Sequence, residues 1–272
     1  WRRQNRCHHE HLTMPLPFAT MGLGMGRMGA ARTKGGGVNL ASLFGASDTG
    51  WLAYPGIAAN LFQDTSATTP VAADNDPVGR FNDKSGKGNN LTQGTGTKRP
   101  LYAANGGKPY ELYDGTDDHL LSSIIPGAAC TLAFSGRALA FAGAGIGGGA
   151  GGTSKRAFIG VFTAGQLTIG WGGEAFGTNL LTADITGADH VFLVTGDGTT
   201  RDVYLDGVLK DSRAPTGGPD GTGGGVALGC FNNNGTQSTF WNGRIYAGLM
   251  INRRVTAAEI TLITSQFTKA YQ

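Results

Sequence analysis

Hydrophobic residues in this chain come in short runs that turn residues interrupt. From Val38 onward, each run is two to eight residues long, is rich in β-branched or aromatic side chains, and ends near Gly, Asp, Asn or Pro. Runs of this length and composition are typical of β-strands. The predicted strands lie near 51–54, 110–113, 131–134, 139–141, 157–162, 166–171, 190–194, 202–205, 208–209, 226–231 and 244–251.

The connections between these runs indicate antiparallel pairing. Asp206 and Gly207 separate two runs, and such a pair favours a two-residue type I′ hairpin, in which both turn positions need a positive φ. No helical pattern lies between successive runs, which argues against parallel βαβ units. The sequence therefore predicts an all-β fold over residues 38–272, an antiparallel sandwich or jelly roll.

One short helix is predicted at the end of the chain. Thr256 and Glu259 are spaced as a capping box, in which each side chain accepts a hydrogen bond from the other residue's backbone N–H. Ile260, Ile263 and Phe267 then fall on one apolar face at helical spacing. We expect this helix to pack on the sandwich.

Glycine accounts for 47 of the 272 residues, with two dense runs. Segments 143–152 and 217–225 are predicted to be long loops, because Gly loses more entropy on ordering than any other residue. Loops of this kind often carry binding sites. A phosphate-binding loop is not expected at the first run, since Thr153, Ser154 and Lys155 come after it in the wrong order.

The first 37 residues differ from the rest in charge. They hold six basic residues and one acidic residue, a formal charge of +5, whereas the rest has sixteen basic and eighteen acidic residues, −2. They mix Gly, Met, Ala and Arg without periodicity. We expect residues 1–37 to form a flexible anchoring arm, with Arg27, Arg32 and Lys34 meeting an acidic protein surface. The alternative, nucleic-acid binding through the arm, would weaken steeply with salt.

Other short motifs do not support a cofactor, a disulfide framework or a membrane span. The G-x-G-x-x-G pattern at residues 24–29 has no strand before it, so it lacks the context of a dinucleotide site. The Cys and His residues at 7–11 have no second ligand pair at zinc-finger spacing. Three cysteines are an odd number, and Cys130 and Cys230 stand in apolar surroundings typical of the core. No apolar run approaches the roughly 20 residues that a membrane helix needs.

Three segments together resemble the laminin-G-like, concanavalin-A-like jelly-roll family. Tyr113-Asp114-Gly115-Thr116-Asp117-Asp118-His119-Leu120 is similar to the family's F-D-G-x-D-D-Y-L strand start. Residues 190–207 are similar to its central hairpin. Residues 241–253, with the helix cap at 256–259, are similar to its closing strand and helix. The resemblance implies a jelly-roll sandwich with one short C-terminal helix.

The stretch before these segments resembles the lead-in of such modules in tailed-bacteriophage proteins. It includes Leu61-Phe62-Gln63-Asp64-Thr65, Asp76-Pro77-Val78-Gly79 and Asp83-Lys84-Ser85-Gly86. This resemblance implies a virion structural protein: a fibre, tail-tip or capsid-decoration component on the particle surface. Its arm would bind other virion proteins, and by analogy it would be a homo-oligomer, with a trimer commonest among fibres. The competing hypothesis is a glycan-binding adhesin or lectin, either a phage receptor-binding tip or a secreted bacterial protein.

No catalytic site is predicted. Asp117 and Asp118 are the best carboxylate pair, but neighbouring strand residues face opposite sides of a sheet. The glutamates of the body, Glu111, Glu174 and Glu259, are scattered, and one belongs to the helix cap. A Ser-His-Asp arrangement would need His119 or His190, which stand where the family has ordinary strand residues.

Two binding sites are considered. The family often holds Ca²⁺ or glycans at a sheet rim, and Asp114, Asp117 and Asp118 offer the hard oxygen ligands that Ca²⁺ prefers. The alternative, which we favour, is that these residues make a turn and cap loop amides. Glycan sites usually present aromatic platforms, for which the sequence offers three candidates. They are Trp171, Trp241 and Tyr246.

Overall fold

The structure is a computed structural model that describes residues 39–54, 58–150, 155–174, 178–181 and 183–272. In this part of the chain two large β-sheets pack face to face, and one α-helix, α1 (Ala257–Lys269), lies near the end. Short 3₁₀ helices lie at Leu40–Leu43, Ala58–Asn60, Gly96–Lys98, Asn105–Gly107 and Thr163–Gly165. The strands in chain order are β1 (Gly50–Ala53), β2 (Leu61–Phe62), β3 (Arg80–Phe81), β4 (Leu91–Thr92), β5 (Leu101–Ala103), β6 (Tyr110–Asp114), β7 (Leu120–Leu121), β8 (Cys130–Ala138), β9 (Gly143–Gly149), β10 (Arg156–Phe162), β11 (Gln166–Gly172), β12 (Thr178–Asn179), β13 (Asp189–Gly196), β14 (Arg201–Leu205), β15 (Val208–Arg213), β16 (Gly224–Leu228), β17 (Phe231–Asn233), β18 (Thr236–Ser238) and β19 (Asn242–Ile251).

The sheet that carries α1 has eight strands, in the order β15-β14-β13-β8-β19-β6-β5, with β1 beside β19. The other sheet has eleven, in the order β12-β11-β10-β9-β16-β7-β4-β3-β2, with β17 beside β9 and β18 beside β17. The pairs are antiparallel except β17 with β9. Neighbouring strands in space are often distant in sequence, as β8 and β19 are, which is the crossover pattern of a jelly roll. The predicted fold class is confirmed.

Side chains from both sheets form the main core. At its centre the Phe134 ring stacks on Phe192 with centroids 4.4 Å apart, and Trp241 meets Phe134 edge-on at 5.2 Å. All three are essentially without solvent exposure. Each buried ring contributes roughly 1.5–3 kcal/mol through its removal from water. Cys130 and Cys230 are free and buried, as predicted, and burial raises the pKa of both thiols.

The first glycine run corrects the sequence prediction of a loop. Residues 143–149 form β9, a central strand of the eleven-stranded sheet. The glycines are required by packing. A Cβ on Gly145 would lie 2.1 Å from Cζ of Phe134, and one on Gly147 would lie 2.5 Å from Cβ of Phe158. Of the second run, residues 224 and 225 begin β16.

Two predictions that rest on residues close together in the sequence are confirmed. Asp206 (φ 53°) and Gly207 (φ 76°) both have positive φ and join β14 to β15. Thr256 Oγ1 accepts a hydrogen bond from the Glu259 N–H at 3.3 Å, and a Glu259 carboxylate oxygen accepts one from the Thr256 N–H at 2.7 Å. This capping box begins α1.

The helix covers the outer face of the eight-stranded sheet. Ile260, Ile263 and Phe267 are buried there against sheet residues and against the 3₁₀ helix Leu40–Leu43. Arg253 ties these elements together, because its guanidinium donates to the Glu259 carboxylate at 2.6 Å and to the Leu43 carbonyl at 2.7 Å. It also meets a carboxylate oxygen of Asp48 at 3.1 Å.

Of two further predictions, one is wrong and the other concerns residues outside the described part of the chain. Leu139, Ala140 and Phe141, predicted to be a strand, belong to the connection between β8 and β9, and Leu139 and Phe141 are exposed. The anchoring arm, residues 1–37 with Arg27, Arg32 and Lys34, lies outside the described residues. Among the helices that the structure describes, none combines the length and the apolar character that crossing a membrane requires.

Candidate functional site

Four strand connections meet around a groove of 490 Å³. They are the segments after β6, between β8 and β9, after β10, and between β18 and β19. Three phenylalanines, two threonines and two glycines line it. The lining residues are Gly115, Phe141, Gly143, Phe162, Thr163, Thr239 and Phe240.

Phe141 presents its ring to solvent on a fixed backbone. The residue is 71% exposed, the highest value among the large exposed hydrophobic residues of the described chain. Its neighbours are held by hydrogen bonds, since the Ala142 N–H donates to the Val161 carbonyl at 3.1 Å and the Asn242 N–H donates to the Ala142 carbonyl at 3.0 Å. An apolar ring held in solvent in this way is a feature of binding surfaces.

The other two phenylalanine rings are half-buried, and each lies close to another ring. Phe162 packs on Phe158 at a centroid distance of 5.6 Å, and Phe240 lies 6.0 Å from the His119 ring. Gly143 adopts a φ of 71°, and a Cβ there would come within 2.4 Å of the Thr239 carbonyl oxygen. The close approach of these two backbones sets the floor of the groove.

An acidic turn borders the groove at Gly115. One carboxylate oxygen from each of Asp114, Asp117 and Asp118 lies within 4.8 Å of the other two. Burial, and after it the neighbouring charge of Asp114, raises the pKa of the Asp118 carboxyl from 3.8 to about 6. The structure thus brings together the three carboxyls that the sequence named as possible calcium ligands, and their oxygens are of the kind that Ca²⁺ prefers.

The same carboxyls also cap the turn. Asp114 Oδ1 accepts hydrogen bonds from the N–H groups of Thr116 at 2.8 Å and Asp117 at 3.2 Å, and Asp118 Oδ2 accepts one from the Asp114 N–H at 3.1 Å. Asp114 and Asp118 therefore cap amides of this turn, as in the interpretation favoured from sequence, which gave Asp117 the same role. Calcium at this turn stays a prediction.

His119, next to the acidic turn, has both ring nitrogens engaged. Nδ1 lies 2.7 Å from the Asp117 carbonyl oxygen, and Nε2 lies 2.8 Å from Nε2 of Gln93. Donation from Nδ1 to the carbonyl and acceptance at Nε2 describe a neutral imidazole. Burial lowers the pKa of His119, which favours that neutral form.

The three aromatic residues predicted as sugar platforms do not present their faces to solvent. Trp171 and Trp241 have 0% exposure, because both rings fill the core between the sheets. Tyr246 is 4% exposed, and its hydroxyl donates to Asp189 Oδ1 at 2.8 Å. The expectation for the tryptophans is therefore corrected: Trp171 lies on the inward face of β11, and Trp241, just before β19, packs against Phe134 in the core. Tyr246 lines a different, smaller pocket.

The three glutamates and the histidine considered for catalysis outside the acidic turn are each held by a neighbour. Glu111 is fully buried, accepts a hydrogen bond from the Tyr113 hydroxyl at 2.7 Å, and burial raises its pKa from 4.5 to about 7. Glu174 Oε1 accepts a 2.7 Å hydrogen bond from the fully buried Arg201, which also pairs with Asp211 at 2.5 Å. Glu259 belongs to the helix cap. His190 pairs with Asp206 of the hairpin turn at 2.7 Å.

Sequence reasoning misses the phenylalanines of the groove. The hydrophobic pattern places Phe141 in a strand, and Phe162 and Phe240 carry no motif. The one signal is the brevity of the run 139–141 between Arg137 and Gly143. A run of three residues bounded in this way fits an exposed connection as well as it fits a strand.

The described fold is similar to that of known proteins. Residues 132–261 match the family model of the concanavalin A-like lectin/glucanases superfamily. Among curated proteins, none matches the chain.

Solved structures with a similar fold include a GH54 α-L-arabinofuranosidase soaked with a cyclic sulfate inhibitor, with a TM-score of 0.53 at 16% identity, covering 71% of this chain and 51% of that one. An arabinofuranosidase complexed with arabinofuranosyl-α-1,2-xylobiose gives a TM-score of 0.52 at 14% identity, with the same coverage of 71% and 51%. Domain 4 of AbnA, an extracellular GH43 arabinanase from Geobacillus stearothermophilus, in complex with arabinotriose, gives 0.46 at 15% identity and covers 62% and 81%. The likeness spans about half of each arabinofuranosidase chain. The family-model match and the likeness to the two arabinofuranosidases, together with the two packed sheets and the terminal helix, show that the chain has the concanavalin A-like jelly-roll fold.

Proposed function

We propose that this protein is a non-catalytic carbohydrate-binding protein that holds a glycan in the groove around Phe141. The observation that carries the proposal is the exposed Phe141 ring, fixed at the backbone and facing a groove with two more phenylalanines. Ligand sites are typically concave and mostly apolar, with a few polar groups that orient the ligand. The described groove has this composition.

The chemistry of a sugar matches the lining. A pyranose or furanose ring has faces of C–H groups that pack on an aromatic ring, and hydroxyls around its edge that need hydrogen-bond partners. Phe141, Phe162 and Phe240 supply the apolar surface. The hydroxyls of Thr163 and Thr239 and the adjacent acidic turn supply polar partners. All three phenylalanines lie within residues 132–261, the segment that matches the lectin/glucanases superfamily.

A binding role without catalysis is supported by the state of the carboxylates. Glycoside hydrolysis generally needs two carboxyl groups that flank the scissile bond. Glu111 is enclosed in the core, Glu174 is held by Arg201, and Glu259 caps α1. Asp114 and Asp118, which border the groove, accept hydrogen bonds from amides of their own turn. We therefore expect glycan binding without release of reducing sugar.

The test is a glycan array and then calorimetric titration of the best neutral ligand. Phe141→Ala removes the platform, and we expect at least about tenfold weaker binding, as for other aromatic anchors at binding sites. Leu139→Ala is the matched control, because Leu139 is 50% exposed in the same connection but does not line the groove. Equal losses in both variants, or none in Phe141→Ala, would contradict the assignment of the groove. Hydrolysis of a bound glycan would contradict the non-catalytic role.

The virion setting remains a prediction that rests on the resemblance of residues 61–90. In that setting the arm would attach the domain to capsid, tail or fibre subunits, and the groove would meet a host-surface glycan. Mass spectrometry of purified particles tests it. Hundreds of copies per particle would support decoration, and a handful would support a fibre or tip. Absence from particles would favour the secreted lectin.

A further inference from the structure

A row of charged side chains crosses the outer face of the eight-stranded sheet. Arg137 on β8 is the direct partner of Asp189 on β13 on one side and of Arg244 on β19 on the other. All three are half-buried. The row therefore holds two guanidinium groups and one carboxylate on adjacent strands.

The carboxylate in this row is fully engaged. Arg137 Nε donates to Asp189 Oδ1 at 2.9 Å, and Arg137 Nη2 donates to Asp189 Oδ2. The Tyr246 hydroxyl donates to Asp189 Oδ1 as well, at 2.8 Å. Asp189 thus neutralises Arg137 and has no further oxygen directed at Arg244.

Arg244 has no carboxylate partner within ion-pair distance in the described part of the chain. Its guanidinium carbon lies 4.8 Å from the centroid of the Tyr110 ring, and the Tyr246 phenol is also a neighbour. Like charges directly opposite each other on paired strands destabilise a sheet. Because Asp189 offsets the charge of Arg137, the row keeps one net positive charge at Arg244, and an anion beside Arg244 would offset it.

These side chains line a pocket with room for such an anion. The pocket has a volume of 130 Å³, and Lys108 also lines it. That is roughly the volume of four waters, enough for one oxyanion group. Lys108 Nζ donates to the Tyr271 carbonyl at 3.1 Å, which leaves two of its three hydrogens for a ligand. Lys108, Arg137 and Arg244 against Asp189 give the lining a formal charge of +2.

A second pocket of 230 Å³ shares Lys108 and Tyr246 with the first. Tyr54, Pro109 and the exposed Lys269 contribute to its lining. An oxyanion in the smaller pocket could therefore belong to a larger molecule, such as a sugar acid, whose ring would occupy the second pocket.

We propose that this pocket binds an oxyanion, a carboxylate, sulfate or phosphate group, between Arg244 and Lys108. Arg244 lines the pocket and has N–H donors beyond the one that contacts the Tyr246 phenol, and a guanidinium can hold an oxyanion through such donors, while Lys108 adds a point charge. Half-burial strengthens both contacts relative to water. The site shares no lining residue with the Phe141 groove and stands independently of the function proposed for it.

The experiment is calorimetric titration of the full chain at low salt with four probes: inorganic phosphate, inorganic sulfate, glucuronate and glucose. We expect at least one anion to bind and glucose to give no signal at this pocket. Arg244→Gln should weaken that anion about 10- to 100-fold, as expected for the loss of charge-assisted hydrogen bonds. Lys108→Gln should weaken it in the same direction. Lys210→Gln is the control, because it removes one exposed positive charge from β15.

The four titrations distinguish the possible sources of the anion. Binding of glucuronate alone supports an acidic sugar, whereas phosphate or sulfate binding with the same dependence on Arg244 supports a free or ester oxyanion. Absence of binding for all three anions would overturn the proposal, as would an equal loss in Lys210→Gln. Thermal melting of each variant checks folding. If Arg244→Gln does not fold, unchanged binding in Lys108→Gln would overturn the proposal on its own.

Discussion

Gly145→Ala tests whether the glycine-rich strand β9 exists because aromatic rings occupy the space above it. The added Cβ would meet three atoms of the Phe134 ring at 2.1, 2.4 and 2.6 Å. To restore an ordinary contact of 3.4 Å from 2.1 Å, the ring or the strand must move by about 1.3 Å. The ring is held on the other side by Phe192, stacked at 4.4 Å, and by the edge of Trp241.

The expected cost depends on this confinement. Overpacking a core costs about 1–3 kcal/mol and occasionally more, and a ring held on two sides belongs near the upper end of that range. For a domain of this size, 1 kcal/mol changes the melting temperature by roughly 2–4 °C. We therefore expect Gly145→Ala to melt roughly 6–12 °C lower than the parent in differential scanning calorimetry.

Two further variants make the interpretation specific. Gly94→Ala is the matched control, since a Cβ there meets no atom within 4 Å, and it should leave the melting temperature unchanged or slightly raised. Phe134→Leu shortens the side chain that Gly145→Ala would strike, so the double variant should be more stable than the sum of the single losses predicts. Melting of Gly145→Ala within about 1 °C of the parent would refute the packing argument.

Two other predictions concern buried charges. Because the pKa of Glu111 is raised from 4.5 to about 7, the folded state holds a proton there that the unfolded state has released. The free energy of unfolding should therefore fall by about 3 kcal/mol as pH rises from about 4.5 to about 7. Urea denaturation at pH 5 and 8 should show a smaller fall for Glu111→Gln than for the parent protein. The same fall in both proteins would contradict this prediction. Arg201→Met should cost about 3–5 kcal/mol by leaving the Glu174 and Asp211 carboxylates without their cation, measured by the same method. Arg213→Met, which removes a 46% exposed partner of Asp211, should cost less than about 1 kcal/mol, and a similar cost in both arginine variants would argue against the buried network.

The features that could be predicted from sequence are those encoded locally. The hairpin at Asp206 and Gly207 needs two residues that tolerate positive φ, and the cap of α1 needs Thr256 and Glu259 at fixed spacing. These signals lie within a few neighbouring positions. The turn that gathers Asp114, Asp117 and Asp118 is of the same kind.

The features that the sequence does not reveal depend on partners that are distant in the chain. A glycine such as Gly145 favours a loop by its own entropy, but Phe134 packs into the space it leaves and makes it part of a strand. Arg137 and Arg244 are separated by more than a hundred residues, and only the register of β8 with β19 makes them neighbours. Whether Phe141 or Trp171 faces solvent is likewise set by strand register and connection geometry.

β19, the longest strand in the described part of the chain, lies between the proposed groove at its start and the contacts of Arg253 at its end. Phe240 of the groove comes just before β19, and Arg253, which grips Leu43 and Asp48, comes just after it. A strand of ten residues extends about 30 Å. Because Leu40 and Leu43 pack against α1 and Arg253 holds the Leu43 carbonyl, a force applied at residue 39 would load the helix and the outer face of this sheet. The groove stands a strand's length from the Arg253 contacts, so under the proposed function a ligand and the segment at residues 43–48 would be held at opposite ends of β19.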